Sequence, residues 1–272
     1  MKNQMQKNEV DFERRFGGVR RLYGEVGLAR LQAAHVCVIG IGGVGSWAVE
    51  ALARNAVGEL TLIDLDNVAE SNVNRQIHAL ESEFGKAKVT AMHQRIVQIN
   101  PGCEVREIED FVTPENVQTL LSQPFDMLID ATDDAKAKVA MAVFCKQNHI
   151  PLLVAGAAGG RLDATRIQTA DMAYVQGDKL LAKVRNLLRR DYGFPKGNLA
   201  VKKSHKFGFT CVYSNEEVIK PDALQASCDA TAGDAAITGL NCAGYGSSVS
   251  VTATFGFVLA QLAINQIVKN RF

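Results

Sequence analysis

The sequence predicts an α/β fold: a Rossmann-like, doubly wound and mainly parallel sheet, with C-terminal antiparallel strands and a hydrophobic C-terminal helix. Two observations lead to this prediction. Apolar stretches of strand length alternate with stretches of helical periodicity between residues 35 and 155, which is typical of a parallel sheet with crossover helices. After the first strand come Gly40, Gly42 and Gly45, in the G-x-G-x-x-G spacing of nucleotide-binding folds.

The elements of the alternating region follow in order along the chain. The predicted strands are 35–39, 60–65, 104–107, 127–130 and 151–155. The predicted helices are 46–55, 86–100, 114–121 and 134–148. Connections of this kind are right-handed, and they place a ligand at the carboxyl ends of the strands. We therefore expect the functional residues in the segments that directly follow the strands.

Three parts of the chain differ in character. Residues 1–32 are a helical lead-in after a polar tail, 33–160 form the Rossmann-like nucleotide-binding region, and 161–272 are the C-terminal part of the same domain. In that last part, 161–169 and 207–213 are predicted to be antiparallel, peripheral strands. The stretch 249–268 is uncharged and largely apolar. We expect a buried helix there, at a dimer interface or, less favoured, in peripheral contact with a membrane.

Composition sets limits on the class of protein. The chain has 272 residues and a formal net charge of +1, so nucleic-acid binding would need a local basic surface. Its six cysteines include no C-x-x-C pair, which argues against structural zinc and against a disulfide framework. The polar N-terminus does not resemble a signal peptide. These features predict a cytoplasmic protein.

A local basic run occupies residues 179–206, with nine Lys and Arg against one acid, Asp191. Such a run suits a phosphate backbone, although a solvated helix and tail would have the same composition. Its second half, 193–206, has no helical period and is predicted to be a mobile loop. Phe194 and Phe207 flank that loop as base-stacking or core residues. The candidate RNA-binding residues are Lys183, Arg189, Arg190, Lys196, Lys202, Lys203 and Lys206.

The glycine motif alone does not distinguish NAD from ATP. Gly40 permits a tight turn, Gly42 permits close approach of a phosphate, and Gly45 permits close packing of the helix on the strand. The helix that begins near Ser46 directs its first N–H groups at anionic oxygen. Asp64, at the end of the second strand, is able to accept the two ribose hydroxyls of either nucleotide.

The residues after the second strand favour ATP. Residues 64–76 read DLDNVAESNVNRQ, and these polar side chains suit a triphosphate and its metal better than they suit a nicotinamide. The stretch GKAK then places Lys86 and Lys88 at a predicted helix start, against the preference of the helix dipole. The fourth strand ends in LIDATDD, where a carboxylate is a natural Mg²⁺ ligand. Each residue taken alone has a structural alternative, for example Asp134 as a helix N-cap.

The order GIGGVGS, DLDNVAESNVNRQ, GKAK, LIDATDD resembles the ubiquitin-activating-enzyme-like adenylyltransferases over roughly residues 12–160. The resemblance implies attack of a carboxylate on the α-phosphate of ATP, which forms an acyl-adenylate and pyrophosphate. It implies that Asp130 holds Mg²⁺. The implied ATP-binding residues are Gly40, Gly42, Gly43, Gly45, Asp64, Asp66, Asn72, Asn74, Arg75, Gln76, Lys88, Asp130, Ala131, Thr132 and Asp133.

The implied catalytic residues are Arg75, Lys88, Asp130 and an N-terminal arginine from a partner subunit, so that a homodimer is expected. In the family this arginine is the second of an R-Y-x-R pattern. Here the stretch reads RFGGVRRLYG, with Gly18 at the aligned position. Arg21 lies one turn further on and is the candidate, while Arg15 matches the first arginine of the pattern.

Further stretches resemble one branch of the family: RFGGVRRLYG, NRQIHAL, DFVTPENV, AGAAGG and VTATFGF. This branch acts on N6-threonylcarbamoyladenosine next to the anticodon of tRNA. The resemblance implies ATP-dependent dehydration: the threonyl carboxylate is adenylated, and internal attack then closes a ring. The lack of C-x-x-C pairs agrees with this branch, because the carrier-activating enzymes usually have two such pairs for zinc.

Three alternatives remain open from the sequence. The first is an adenylyltransferase that activates the C-terminus of a ubiquitin-like sulfur-carrier protein. The second is a non-catalytic nucleotide-binding adaptor of a cysteine-desulfurase system, for which Cys242 in NCAGYG is the candidate thiol. An NAD oxidoreductase is the remotest. Cys242 has no adjacent base in the sequence, and a structural role is favoured over a catalytic one.

Overall fold

The computed structural model describes residues 11–196, 206–219 and 245–269. One seven-stranded sheet organises them. Its strands are β1 (His35–Ile39), β2 (Glu59–Ile63), β3 (Glu104–Ile108), β4 (Met127–Asp130), β5 (Leu152–Ala155), β6 (Ile167–Asp171) and β7 (Thr210–Ser214). The helices are α1 (Phe12–Ala33), α2 (Gly45–Arg54), α3 (Lys88–Ile99), α4 (Val117–Leu120), α5 (Ala135–Gln147), α6 (Lys179–Asp191) and α7 (Val249–Lys269).

The strand order is β3-β2-β1-β4-β5-β7-β6. All neighbouring pairs are parallel except β6 and β7, which are antiparallel. This confirms the doubly wound, mainly parallel sheet. The chain moves outward from β1 to β3 and then crosses back to β4 on the other side of β1. The crevice between the carboxyl ends of β1 and β4 is therefore the switch point at which such sheets bind ligands.

The C-terminal strands are shorter than the sequence predicts. Residues 164–166 form a 3₁₀ turn before β6, and 207–209 precede β7 as a turn. The reason is local, because side-chain carboxylates bind the backbone N–H groups that a ladder would use: Glu216 accepts from Leu162 and Asp163, and Asp171 accepts from Phe207 and Gly208. Moreover β7 pairs in parallel with β5, so only β6 is peripheral.

Helices cover both faces of the sheet. On one face α2, α3 and α7 pack with the end of α1 against a core that includes Val36 and Val38 of β1. On the other face α4, α5 and α6 cover Cys37 and Ile39 of the same strand. Because every residue of β1 is buried, the strand is a continuous apolar run instead of an alternating one. The carboxyl edge of the sheet is thereby held rigidly from both sides.

The apolar helix α7 belongs to the core. It packs on α2 and α1, and a Cβ atom at Gly256 would lie 2.5 Å from the Val44 carbonyl oxygen. By length and composition α7 would also pass as a membrane span, but 56% of the residues in its apolar window are buried within the chain. Burial on this scale is typical of a core helix, which agrees with the expected buried helix.

Candidate active site

The glycine loop between β1 and α2 packs so closely on neighbouring backbone that Gly40 and Gly45 leave no room for a side chain. Gly40 has a φ of +85°, and a Cβ atom there would lie 2.9 Å from the backbone of Ala131. A Cβ atom at Gly45 would lie 1.8 Å from the carbonyl oxygen of Gly40. No side chain caps the N-terminus of α2. Of its first N–H groups, that of Ser46 donates to the Gly42 carbonyl at 3.1 Å, and the positive end of the helix dipole faces the loop, where it favours an anionic ligand.

Asp64 ties this loop to the end of β2. Its carboxylate accepts hydrogen bonds from the Ile41 N–H at 2.6 Å and the Asp66 N–H at 2.9 Å. Burial raises the pKa of Asp64, while Lys88 and the two N–H groups act in the opposite direction. The carboxylate is 6% exposed. It lies at the position from which the ribose of a bound nucleotide is held in Rossmann-like folds.

Lys88 is the buried cation of the site. Its ammonium lies 2.6 Å from Asp66 Oδ2 and 3.8 Å from Asp64 Oδ1. Of these two carboxylates only Asp66 has an exposed side chain, so a nucleotide phosphate can replace it as the partner of Lys88. The expectation that Lys86 shares the helix start is wrong. Because α3 begins at Lys88, Lys86 lies outside it and pairs with Glu83 at 2.9 Å.

The segment 72–76 docks on the glycine loop. A Cβ atom at Gly43 would lie 3.1 Å from Arg75 Cγ, and one at Gly42 would lie 3.9 Å from Gln76 Nε2. The Arg75 carbonyl accepts a bond from Trp47 Nε1 at 2.9 Å. Partial burial lowers the pKa of Arg75. These contacts bring the guanidinium and the amide to the entrance of the phosphate loop.

Two asparagines of the same segment hold its backbone. The buried Asn72 side chain accepts a bond from the Ala69 N–H at 3.1 Å. Asn74 Nδ2 donates to the Ser247 carbonyl at 2.9 Å, and Asn74 Oδ1 accepts from Arg75 Nη1 at 2.9 Å. Asn74 thus orients Arg75, a role that sequence reasoning did not assign to it.

Asp130 ends β4 in the middle of the crevice and is fully buried. Its Oδ1 accepts from the Thr132 N–H at 3.0 Å, the Thr132 hydroxyl at 2.7 Å and Lys138 Nζ at 3.0 Å. Its Oδ2 has no hydrogen-bond partner among the described residues. One oxygen is therefore held in place while the other is left for a ligand. The adjoining residues Ala131 and Asp133 form the turn between β4 and α5.

Asp130 fits a magnesium ion that is shared with a nucleotide. Mg²⁺ is usually held by one or two carboxylates together with substrate phosphates, and the unpartnered Oδ2 supplies one such ligand. Within residues 11–196, 206–219 and 245–269 no cluster of three or more His, Cys, Asp or Glu could hold a metal by itself. The fit is thus to a metal–nucleotide complex and not to a protein-only metal site.

Lys138 is the functional residue that sequence reasoning missed. It lies on α5, its side chain is fully buried, and it forms the ion pair with Asp130. In the stretch AKAKVA it resembles an ordinary surface lysine. The only available signal is its distance from the helix start: Asp134 caps α5, and Lys138 follows one turn later on the face that points back to Asp130.

His78 is buried near Lys88 and Arg95. Both of its ring nitrogens lack a hydrogen-bond partner among the described residues. Burial, reinforced by the nearby Lys88 and Arg95, lowers its pKa to about 4. The imidazole is therefore neutral at physiological pH.

The arginines of α1 differ in the hydrogen bonds and ion pairs that their side chains form. Arg15 donates to the carbonyls of Gln98 and Ile99 at the end of α3, at 3.0 Å and 2.8 Å. Arg20 pairs with Glu13 and Glu25. Arg21 is exposed, and within the described chain its guanidinium has no hydrogen bond or ion pair. Arg15 is thus a structural residue of its own subunit, whereas Arg21 is available for a contact outside it.

The basic run 179–206 consists of α6 and of the residues that follow this helix. On α6, Lys183 and Arg190 are exposed and line one shallow groove together with Lys179 and Asn186. Arg189 is turned inward: its Nε donates to the Pro195 carbonyl at 3.0 Å, and its guanidinium lies 5.4 Å from the Phe207 ring centroid. Lys196 and Lys206 are exposed as well.

Base stacking by Phe194 and Phe207 is excluded by their burial. They are 8% and 1% exposed and pack with Phe209 in one aromatic cluster. Because β7 lies beside β5, the residues that precede β7 lie next to α6, where Arg189 contacts Phe207. Lys202, Lys203, Cys242 and most of the predicted mobile loop 193–206 lie outside the described residues.

Comparisons with known proteins show the family to which this chain belongs. Residues 18–270 match the ThiF family. The chain is 44% identical over 262 residues to a tRNA threonylcarbamoyladenosine dehydratase of Haemophilus influenzae, covering 96% of each chain. It is 45% identical over 257 residues to the enzyme of the same name from Escherichia coli, covering 94% of each. The Escherichia coli enzyme solved in complex with ATP superposes with a TM-score of 0.82 at 43% identity, covering 94% of each chain.

Proposed function

This chain belongs to the ThiF family, and from that premise we propose that it is an ATP-dependent dehydratase of N6-threonylcarbamoyladenosine next to the anticodon of tRNA. The observation that carries the proposal is the convergence of the glycine loop, Arg75, Lys88 and Asp130 at one point of the sheet edge. This convergence occurs in a chain whose relatives of that name match it over nearly its full length. The enzyme uses ATP and forms an adenylate.

The first step joins the threonyl carboxylate to AMP. A carboxylate oxygen attacks the α-phosphorus, and the bond to pyrophosphate breaks. Arg75 and Lys88 balance the negative charge that collects on the departing pyrophosphate. Asp130 would hold Mg²⁺ through Oδ2, and a bound Mg²⁺ adds positive charge at the phosphates. No protein nucleophile is needed, because the attacking oxygen belongs to the substrate.

The second step closes the ring within the substrate. A nucleophile of the same threonylcarbamoyl group attacks the acyl carbon, loses its proton and expels AMP. The sum of both steps removes one water from the nucleoside and converts ATP to AMP and pyrophosphate.

We further propose a homodimer in which Arg21 reaches the partner's ATP. Arg21 lies on the exposed side of α1, next to Leu22 and Val26, which are 73% and 64% exposed. These two residues lie on either side of a kink in α1 at Gly24, whose φ is +75°, and neighbouring apolar side chains that face solvent are typical of a contact surface. Since ATP and tRNA meet in the cytoplasm, we place the enzyme there.

Nucleoside mass spectrometry tests the proposed function. The protein is incubated with ATP, Mg²⁺ and tRNA that carries N6-threonylcarbamoyladenosine, and the RNA is digested gently. We expect a nucleoside lighter by one water, with equal amounts of AMP released. An unmodified transcript of the same tRNA is the control and gives neither product. ATP binding without dehydration of the modified tRNA would contradict the proposal.

We propose that the exposed basic residues of α6 bind the RNA backbone. Replacing Lys183 by alanine should lower the slope of log affinity against log salt by about one unit, because one phosphate contact is lost. The measurement is tRNA binding by filter retention or anisotropy between low and physiological salt. Lys269→Ala is the matched control, since Lys269 is exposed at the far end of α7, and its slope should equal that of the wild type.

A further inference from the structure

Arg161, in the segment that follows β5, carries a buried positive charge that the described fold does not pair. Its side chain is 1% exposed, yet Nε and Nη1 have no hydrogen-bond partner among the described residues. Nη2 makes one long bond, 3.5 Å, to the Gly177 carbonyl. Burial lowers the pKa of Arg161, but a guanidinium stays protonated in proteins. Two free nitrogens on a buried guanidinium are suited to receiving an oxyanion.

The nearest carboxylates are committed elsewhere. Asp178 accepts hydrogen bonds from two backbone N–H groups, at 2.8 Å and 2.9 Å. Glu216 likewise accepts from the backbone of the segment after Arg161. Both favour the charged guanidinium through space, but neither forms an ion pair with it in the described chain. The two carboxylates thus stabilise the charged guanidinium of Arg161 through space, but they leave its Nε and Nη1 without a hydrogen-bond partner among the described residues.

The position of Arg161 connects it to the ATP site. Strand β5 lies beside β4, with Val154 paired to Asp130. The short segment 245–248 joins the two loops: the Gly246 carbonyl accepts from the Gly160 N–H at 2.7 Å, and the Ser247 carbonyl accepts from Asn74 Nδ2 at 2.9 Å. The loop of Arg161 and the loop of the phosphate-binding residues therefore share one wall at the carboxyl edge.

We infer that Arg161 forms an acceptor subsite that binds an oxyanion of the RNA substrate, either the threonyl carboxylate or a backbone phosphate. This inference rests on the proposed function. The ATP phosphates are served by the glycine loop, Arg75 and Lys88, over β1, β2 and β4. On the side of β5 and β7, away from these phosphate contacts, the same edge is open to the acceptor, and there Arg161 presents the unpaired charge.

Binding of two anticodon stem–loop RNAs to Arg161→Gln tests the subsite. One RNA carries N6-threonylcarbamoyladenosine and the other does not. We expect the variant to bind the modified RNA about 30-fold more weakly, the effect of removing one partner from a buried charged contact, with unchanged affinity for ATP. Arg166→Gln is the control, because Arg166 is exposed on the same loop. It should change RNA affinity by no more than about 5-fold.

The two RNAs identify the source of the anion. A loss confined to the modified RNA assigns the contact to the carboxylate, and an equal loss with both RNAs assigns it to a phosphate. RNA affinity no lower than that of the Arg166→Gln control overturns the inference, as does a matching loss of ATP affinity. If Arg161→Gln lowers the Tm, Arg161→Met replaces it. This variant keeps a long buried side chain but removes its charge, and wild-type RNA affinity would overturn the inference.

Turnover by the wild type separates this inference from the proposed function. If the wild type does not dehydrate N6-threonylcarbamoyladenosine in full-length tRNA, the proposed function is wrong. If the wild type dehydrates it, but Arg161→Gln binds RNA as tightly as the wild type does, the proposed function stands and only the inference about Arg161 is wrong.

Discussion

Asp130→Asn is expected to lower the dehydration rate by about 10³-fold, equivalent to about 4 kcal/mol in the activation barrier. Asparagine keeps the shape of the side chain but removes the charge that Oδ2 offers to a metal–nucleotide complex. The substitution also leaves Lys138 buried without its anion. Breaking a buried ion pair costs about 3 kcal/mol or more, so the Tm should fall by about 10 °C. Dehydration kinetics and a thermal melt measure the two effects.

The double variant Asp130→Asn with Lys138→Met separates these effects. Methionine removes the stranded charge and fills a similar volume, so the Tm should recover while the activity stays low. Recovery of both would mean that Asp130 serves only the fold. Full activity in the single variant would contradict the assignment of Asp130 to the catalytic site.

Lys88→Met is expected to lower kcat/KM for ATP by about 10²-fold to 10³-fold. Methionine preserves the buried chain but leaves Asp64 and Asp66 facing the phosphates without a cation between them. Because Lys88 opposes the upward pKa shift that burial imposes on Asp64, its loss raises that pKa further. The carboxylate is then protonated at higher pH, so the acid limb of the pH–rate profile should move upward. An unmoved acid limb would show that Lys88 does not act on Asp64.

Mixed dimers use the same variant to test the proposed role of Arg21. Homodimers of Lys88→Met and of Arg21→Ala should each have low activity. After subunit exchange, one site of the mixed dimer combines an intact Lys88 with an intact Arg21 from the other subunit. Activity should therefore return on mixing. No recovery, although exchange is shown by mass, would place Arg21 in its own subunit's site or outside the site.

The close packing of the glycine loop was predictable because its signals are local. Glycines at Gly40 and Gly45 are required by close backbone contacts between neighbouring segments, and polar residues directly after strands meet at one edge of a parallel sheet. The family resemblance drawn from these motifs is confirmed by the match to the ThiF family.

The positions of the other site residues depend on the exact residue at which a helix begins and on which strands pair in the sheet. The start of α3 at Lys88 leaves Lys86 outside the helix, and a pattern cannot resolve a shift of this size. Lys138 is distinguished from a surface lysine only by the burial of its helix face. Phe194 and Phe207 became core residues because β7 inserted beside β5, a pairing between distant segments that no local pattern indicates.

The packing of α7 on the glycine loop has a consequence for synthesis of the protein. Gly256 lies against the Val44 carbonyl, and Thr252 lies beside Gly43, so one wall of the glycine loop is supplied by a helix that is distant from it in the sequence. During translation the N-terminal strands can pair early, but the nucleotide loop stays without this support until α7 emerges. The loop is therefore fully packed only when α7 docks on it.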